Sequence, residues 1–221
     1  MAIERIEYVM TATRATKPRE ERRQLHQQLS RTQLLDAAEE IFGQKGFHDT
    51  TLKEIADRAD FSVGSVYSFF ENKEDLYINI WLRRGSEFLP AFEEALVGAA
   101  DGLDAVARIV SFEVSFLRAR PSFSDLYLRS TASLVPTSYE ATSEEVTENA
   151  DRVLGMQADV IRRGQADGSI RLGDPSALSR LLSAMVQAFQ SVDSDPSSSH
   201  RFAFSLDEFQ SVVRAAFISQ I

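Results

Sequence analysis

Residues 50–75, TTLKEIADRADFSVGSVYSFFENKED, constrain this chain more than any other stretch, because their spacing alone describes two short helices and a tight turn. Thr51 and Glu54 have the spacing of a capping box, in which the hydroxyl accepts from the amide three residues on and the glutamate reaches back. Leu52, Ile55, Ala56 and Ala59 then fall on one face at helical spacing, leaving Lys53, Asp57 and Arg58 toward solvent. Asp60 stands where the helix exit wants a left-handed backbone, which Asp tolerates better than most residues and less well than Gly. Ser62 caps the next helix. There Val63, Val66, Tyr67 and Phe70 can pack inward, and Gly64, Ser65 and Ser68 present a small, uncharged outer face. Such a face fits closely against base edges, so the stretch reads as a helix-turn-helix that docks on DNA. Asn72 caps a further helix, with Glu74 and Asp75 in its first turn, where the helix end favours acids.

Residues 31–76, RTQLLDAAEEIFGQKGFHDTTLKEIADRADFSVGSVYSFFENKEDL, resemble the DNA-binding domain of the TetR/AcrR family of bacterial transcriptional regulators. Gly46, Phe47, Thr50, Thr51, Ile55, Ala56, Ser62, Gly64, Tyr67, Phe70, Lys73 and Leu76 carry the likeness in register. Two positions depart from it: the family's common turn glycine is Asp60 here, and its frequent recognition-helix histidine is Phe69. The resemblance implies an all-α fold, with a three-helix helix-turn-helix head followed by a larger helical domain that binds an effector and dimerises. It also implies that residues matching Tyr67 and Lys73 contact the DNA backbone and that the start of the recognition helix reads bases, which carries over to Ser62, Val63, Gly64, Ser65 and Ser68.

Charge agrees with a local DNA-facing end. The chain has 221 residues and a net charge of −9, which argues against a protein that coats nucleic acid indiscriminately. Residues 14–34 nevertheless hold six basic side chains against two acidic ones, whereas the part from Trp81 onward holds 13 basic against 19 acidic. Residues 1–24 are therefore expected as a mobile basic arm, whose Arg14 and Lys17 either order on a DNA groove or stay uninvolved. Residues 25–72 are expected as the DNA-binding domain and residues 73–221 as the effector-binding and dimerisation domain. With 43% hydrophobic residues there is enough to fill a core. The absence of Cys excludes cysteine catalysis and thiol redox sensing and suits a reducing cytoplasm, the expected location. No apolar run reaches the roughly 20 residues needed to cross a bilayer, so no membrane partner is expected.

Beyond the head, the apolar periodicity is helical throughout, for about nine helices in all, with no convincing strand alternation. The first helix is firm from Arg31 to Lys45 and begins as early as Arg19. A long helix starts at Lys73, with a kink or break expected at Pro90. Leu103–Ala119 is apolar nearly all round, and further segments span Pro121–Leu134 and about Ser138–Gly164. Asp174 with Pro175, and Ser205 with Glu208, announce the last two helices. Their stripes, Leu178, Leu182, Met185 and Phe189, then Phe209, Val213 and Phe217, suit either the chain's own core or a two-fold four-helix bundle, and the resemblance favours the homodimer.

The DNA site is expected to comprise Thr50 and Thr51 at a helix start, Lys53 as an additional reader, the recognition-helix residues above, Tyr67, and Lys73 as a point charge. Phe112, Phe116, Phe123, Tyr127, Met156 and Phe189 are the candidate walls of an effector pocket, with Arg118, Arg120 and Arg129 as candidate anchors. His26, His48 and His200 lack ligand spacing, so no metal is expected, and no cofactor either. Adjacent acids such as Glu39 and Glu40 read as solvated faces rather than catalytic pairs. The expected partners are a palindromic double-stranded DNA operator, a small hydrophobic or amphipathic effector and a second copy. The expected activity is that of a repressor and not of an enzyme. An activator of the same fold, or a helical scaffold whose helix-turn-helix is structural, are the alternatives.

Overall fold

The computed structural model describes the backbone of residues 2–131, 142–193 and 204–219, and the side chains among these from residue 19 on, apart from 131 and 193. The expected arm side chains Arg14 and Lys17, and the SDPSSS stretch at 194–199, lie outside what is described. Nine helices are present among the described residues: α1 (Ala2–Lys45), α2 (Leu52–Ala59), α3 (Val63–Tyr67), α4 (Lys73–Ala95), α5 (Gly102–Arg118), α6 (Pro121–Thr131), α7 (Glu144–Asp167), α8 (Pro175–Asp193) and α9 (Leu206–Phe217). An isolated antiparallel bridge, Ile170 to Ile218, ties the end of α9 to the α7–α8 turn, with Arg171 donating to Phe217 at 2.9 Å and Ser219 to Ser169 at 3.1 Å.

Two hydrophobic cores organise the molecule. The first joins Leu34, Ala38 and Phe42 of α1 to Ile55 of α2, Val66 of α3, and Leu76 and Ile80 of α4, then continues into Phe116, Phe123 and Leu126 of α5 and α6. The second packs Phe92, Ile109, Val110, Ile161, Leu182, Val186, Phe209 and Phe217 among α4, α5, α7, α8 and α9. Phe88 and Phe112 touch both. Each fully buried Phe or Ile contributes roughly 1.5–3 kcal/mol, so the head draws part of its stability from beyond residue 72. α1 and α6 meet most closely at Gly43, where a Cβ would lie 2.6 Å from the Ser122 carbonyl oxygen. Arg129 donates to the Gly43 carbonyl at 2.6 Å.

Two boundaries differ from expectation. α1 begins at Ala2, well before Arg31 and Arg19, and residues 19–29 of it are exposed on every side, with Leu25 and Leu29 in solvent. A helix without a buried face has no apolar stripe to betray it, and the good helix formers of EERRQLHQQL are the only signal. α4 runs through Pro90 without a break. The backbone bond that Pro90 cannot make belongs to Ser86, and both residues are exposed, so water can replace it.

Candidate DNA interface and effector cavity

The head is built by local bonds that its sequence specifies. Thr51 caps α2 with a complete capping box: its Oγ1 accepts from the Glu54 amide at 3.3 Å and its amide donates to Glu54 Oε2 at 2.9 Å. Glu54 also pairs with Lys45 at the end of α1. The Lys45 bond, then those from Thr51, hold the Glu54 carboxyl down at about 2. Asp60 takes the left-handed conformation, φ 60° and ψ 42°, and closes α2 by donating to the Ala56 and Asp57 carbonyls. Ser62 Oγ accepts from the Ser65 amide at 3.0 Å and shares a 2.8 Å bond with Ser65 Oγ, while Ser68 Oγ donates to the Ser65 carbonyl at 2.6 Å. The recognition face therefore carries three serines already tied to their own helix. Gly64 leaves open space, the nearest atom to a Cβ there being Ser62 Oγ at 3.8 Å.

Of the ten residues expected at DNA, Thr51, Lys53, Ser62, Gly64, Tyr67 and Ser68 are exposed and Val63 and Ser65 half-buried, all on or beside α2 and α3. Thr50 and Lys73 sit differently. Thr50 is 1% exposed, with its hydroxyl donating to the Gly46 carbonyl at 2.7 Å. Lys73 Nζ donates to the carbonyls of Phe47 at 2.8 Å and Thr50 at 3.0 Å and lies 4.4 Å from the centre of the Phe47 ring. These two pin the α1–α2 turn to the start of α4, which positions Thr51 rather than offering free groups to phosphate. Lys73→Ala is accordingly expected to destabilise the protein by roughly 1–3 kcal/mol, whereas Tyr67→Ala should stay within about 0.5 kcal/mol. Thermal melts followed by circular dichroism check the pair.

Behind the head, α4, α5, α6, α7 and α8 line a partly open cavity of 380 Å³. Phe116, Phe123 and Tyr127 line it as expected, together with Trp81, Phe88 and Leu154. The other three expected walls are elsewhere: Phe112 packs 5.1 Å from Phe88, ring centre to ring centre, Met156 lies against the second core, and Phe189 stacks on Phe209 at 4.5 Å. Nor do the candidate anchors reach it. Arg120 sits 3.8 Å over the Phe116 ring and bonds Glu87 at 3.1 Å, Arg129 bonds Gly43, and Arg118 is exposed. The polar lining comes from residues the periodicity passed over: Arg84, Glu113, Asn149, Ser183 and Gln190. An acid in the middle of α5, flanked by apolar residues and well past Asp104 in the first turn, was the available signal for Glu113.

Arg84 connects cavity and head. It donates to Glu39 of α1 at 2.8 and 2.7 Å and to Glu87 at 2.8 Å. Burial opposes its charge, but Glu39 and then Glu87 outweigh that and raise its pKa. Glu39, expected on a solvated face, is 4% exposed, because Arg83 and Arg84 cover it. Burial pushes Glu113 up to about 7, against the opposing hydrogen bond from Gln157. A carboxyl raised in the folded state adds stability at acid pH that is lost as pH climbs through that value. Glu113→Gln should therefore stabilise by about 2 kcal/mol near pH 8 and by little near pH 5, which urea unfolding at the two pH values tests.

Of the expected dimer residues, Leu182, Phe189, Phe209, Val213 and Phe217 are buried in the chain's own second core and have no surface to offer a partner. Leu178 and Met185 are half-buried. They pack against the edge of that core and fall on a neighbouring stripe of α8 with the exposed Leu181, Ala188 and Val192, spaced alternately three and four residues apart.

Comparison with known proteins supports this architecture. Residues 34–80 match the family of bacterial regulatory proteins, tetR family. The chain is 31% identical over 85 residues to the fatty acid metabolism regulator protein of Bacillus subtilis (strain 168), covering 38% of this chain and 44% of that one. It is 28% identical over 142 residues to the HTH-type transcriptional repressor KstR2 of Rhodococcus jostii (strain RHA1), covering 64% and 68%. The matches thus span under half of the first relative and about two thirds of the second. The structure of AibR in complex with isovaleryl coenzyme A and operator DNA superposes with a TM-score of 0.69 at 14% identity, over 86% of this chain and 98% of that one, a likeness of fold. No helix among the described residues is long and apolar enough to cross a membrane. With the capped helix-turn-helix and the matched family model in agreement, residues 34–80 are similar to the DNA-binding head of the tetR family of bacterial regulatory proteins, and the helical body behind that head shares the fold of solved structures of such regulators.

Proposed function

We propose that this protein is a cytoplasmic, homodimeric repressor that binds a palindromic DNA operator through two helix-turn-helix heads and releases it when a small hydrophobic or amphipathic effector enters the cavity between α4 and α8. The observation that carries the reading is Arg84, which lines the cavity and at the same time holds Glu39 of the head helix α1. An effector that displaces Arg84 favours a different setting of α1, and the operator favours the original one. Each ligand then weakens the other by the same factor. The relatives named as a repressor and as a fatty acid metabolism regulator support it, and the fold is shared with AibR, whose structure holds isovaleryl coenzyme A and operator DNA.

The surface suits these roles. Thr51, Lys53 and Tyr67 surround the small face of α3, where phosphate contacts would position it and Ser62, Val63, Gly64, Ser65 and Ser68 would meet bases. The stripe of Leu178, Leu181, Met185, Ala188 and Val192 on α8, with the exposed Val212 on α9, gives a second copy an isologous four-helix contact. Selection of bound sequences from a random DNA library, followed by footprinting at moderate salt, tests the DNA half. A protected two-fold site is expected. Enrichment of no common sequence would sink it.

A further inference from the structure

Two polar side chains on the cavity lining have hydrogen-bonding capacity that the protein leaves unfilled. Gln190 is 4% exposed, and its Oε1 has no hydrogen-bond partner among the described residues. Buried acceptors of that kind are few in folded proteins. The other is Glu113. The buried Gln157 is oriented by Ser183, whose hydroxyl donates to its Oε1 at 3.0 Å, and by Ser179, whose hydroxyl divides its proton between the Leu154 carbonyl at 2.9 Å and that Oε1 at 3.2 Å. Its amide NH2 is thereby turned to Glu113 and donates to Oε1 at 2.8 Å, which commits one carboxyl oxygen and leaves the other. Among the described residues of the lining the one basic side chain is Arg84, and it is held by Glu39 and Glu87, so none of them offers either group a spare cation.

We propose that the cavity takes an uncharged amphipathic molecule, an apolar body whose hydroxyl or amide groups donate to Gln190 Oε1 and accept from the Glu113 carboxyl, and that it discriminates against the matching carboxylate. This rests on the reading of the cavity as the effector site. A carboxylate would enter without a free counter-ion and beside a second acid, so its desolvation would go uncompensated. An ammonium would require Glu113 to ionise among aromatic and aliphatic walls. Among the described residues, the charged and titratable groups that share the lining with Glu113 are Arg84 from α4, neutralised by its two partners, and Tyr127 from α6, pushed up to about 12 by burial and by Glu113 itself. On the lining, α7 and α8 face the cavity with the neutral Asn149, Ser183 and Gln190. Since Glu113 titrates at about 7, its donor proton is present below that pH and lost above it.

Trp81 lines the cavity and is the only Trp in the chain, so its fluorescence reports occupancy directly. The probes are n-octanol, octanoate and octylamine, titrated into the full-length protein. Octanol is expected to bind at least about tenfold tighter than either charged probe near pH 6, and to weaken by about tenfold between roughly pH 6 and pH 8 as the protonated fraction falls. Glu113→Gln, which keeps a donor, should retain octanol binding and lose the pH dependence. Gln190→Leu should weaken octanol by about tenfold, with far-UV circular dichroism confirming the fold of both variants. Octanoate binding as tightly as octanol, octylamine binding tightest with affinity rising with pH, or no probe perturbing Trp81 would each overturn the proposal. The effector reading is scored separately, by fluorescence anisotropy of the selected DNA. Octanol that fills the cavity without releasing DNA leaves the head-group selectivity standing and removes the effector role.

Discussion

Glu39→Ala is expected to cost about 2–4 kcal/mol of stability, because it strips the shared buried acceptor from two partly buried guanidinium groups and leaves each with a single, more exposed carboxylate. Glu39 is 4% exposed and accepts from Arg83 at 2.9 Å and from Arg84 at 2.8 and 2.7 Å. Arg83 keeps Asp36 of α1, whereas Arg84 keeps only Glu87 of its own helix, so each retains one carboxylate but Arg84 loses its bond across to α1. Glu39→Gln preserves an acceptor of the same shape and removes the charge, and should lie between the variant and the parent. Urea unfolding measures both. A loss below about 1 kcal/mol for the alanine variant would mean that water already screens the cluster as it does a surface pair. In a stabilised background the same substitution should uncouple the cavity from the head: probe binding at Trp81 persists while its effect on DNA affinity shrinks toward nothing.

What the sequence made legible is what short range decides. The capping boxes at Thr51 and Ser205, the Ser62 and Asn72 caps, and Asp174 bonding the Ala177 amide at 2.7 Å all form within three residues, and the structure bears them out. Asp60 in the left-handed region is of the same kind. Where tertiary packing decides, spacing alone was ambiguous. α8 is apolar on two faces, and nothing local says that Leu182, Val186 and Phe189 take the core while Leu181 and Val192 stay outside. Lys73 sits near a helix start where phosphate is a reasonable partner, yet its ammonium reaches a carbonyl 26 residues back. Glu39 looked like half of a solvated pair until two arginines from α4 covered it. The cavity drew three of its six expected walls because the other three, Phe112, Met156 and Phe189, pack against the second core.

Gly102→Ala should cost about 3 kcal/mol and lower the melting temperature by roughly 6–12 °C, through overpacking at a point where the backbone itself is the neighbour. A Cβ at Gly102 would lie 2.2 Å from the Gly164 Cα and 2.8 Å from its nitrogen, and one at Gly164 would lie 2.5 Å from Ile170 Cδ1. Both glycines are buried, so α5 and α7 cross with almost nothing between them. Side chains swing aside at small cost, whereas relief here requires two helices to part. The Gly102 amide also donates to Asp167 at 3.1 Å, a bond that such parting would stretch. Gly155, on the same α7, supplies the control: it is exposed and a Cβ there meets nothing within 4 Å. Gly155→Ala should stabilise by about 0.5–1 kcal/mol, since alanine is the better helix former. The two helices that cross at Gly102 also bring Glu113 to Gln157, so the close approach sets the polar end of the cavity as well as the stability of the body. Comparing octanol affinity in the two alanine variants separates these effects. Weaker binding with Gly102→Ala and unchanged binding with Gly155→Ala would place the geometry of the cavity under the control of that crossing.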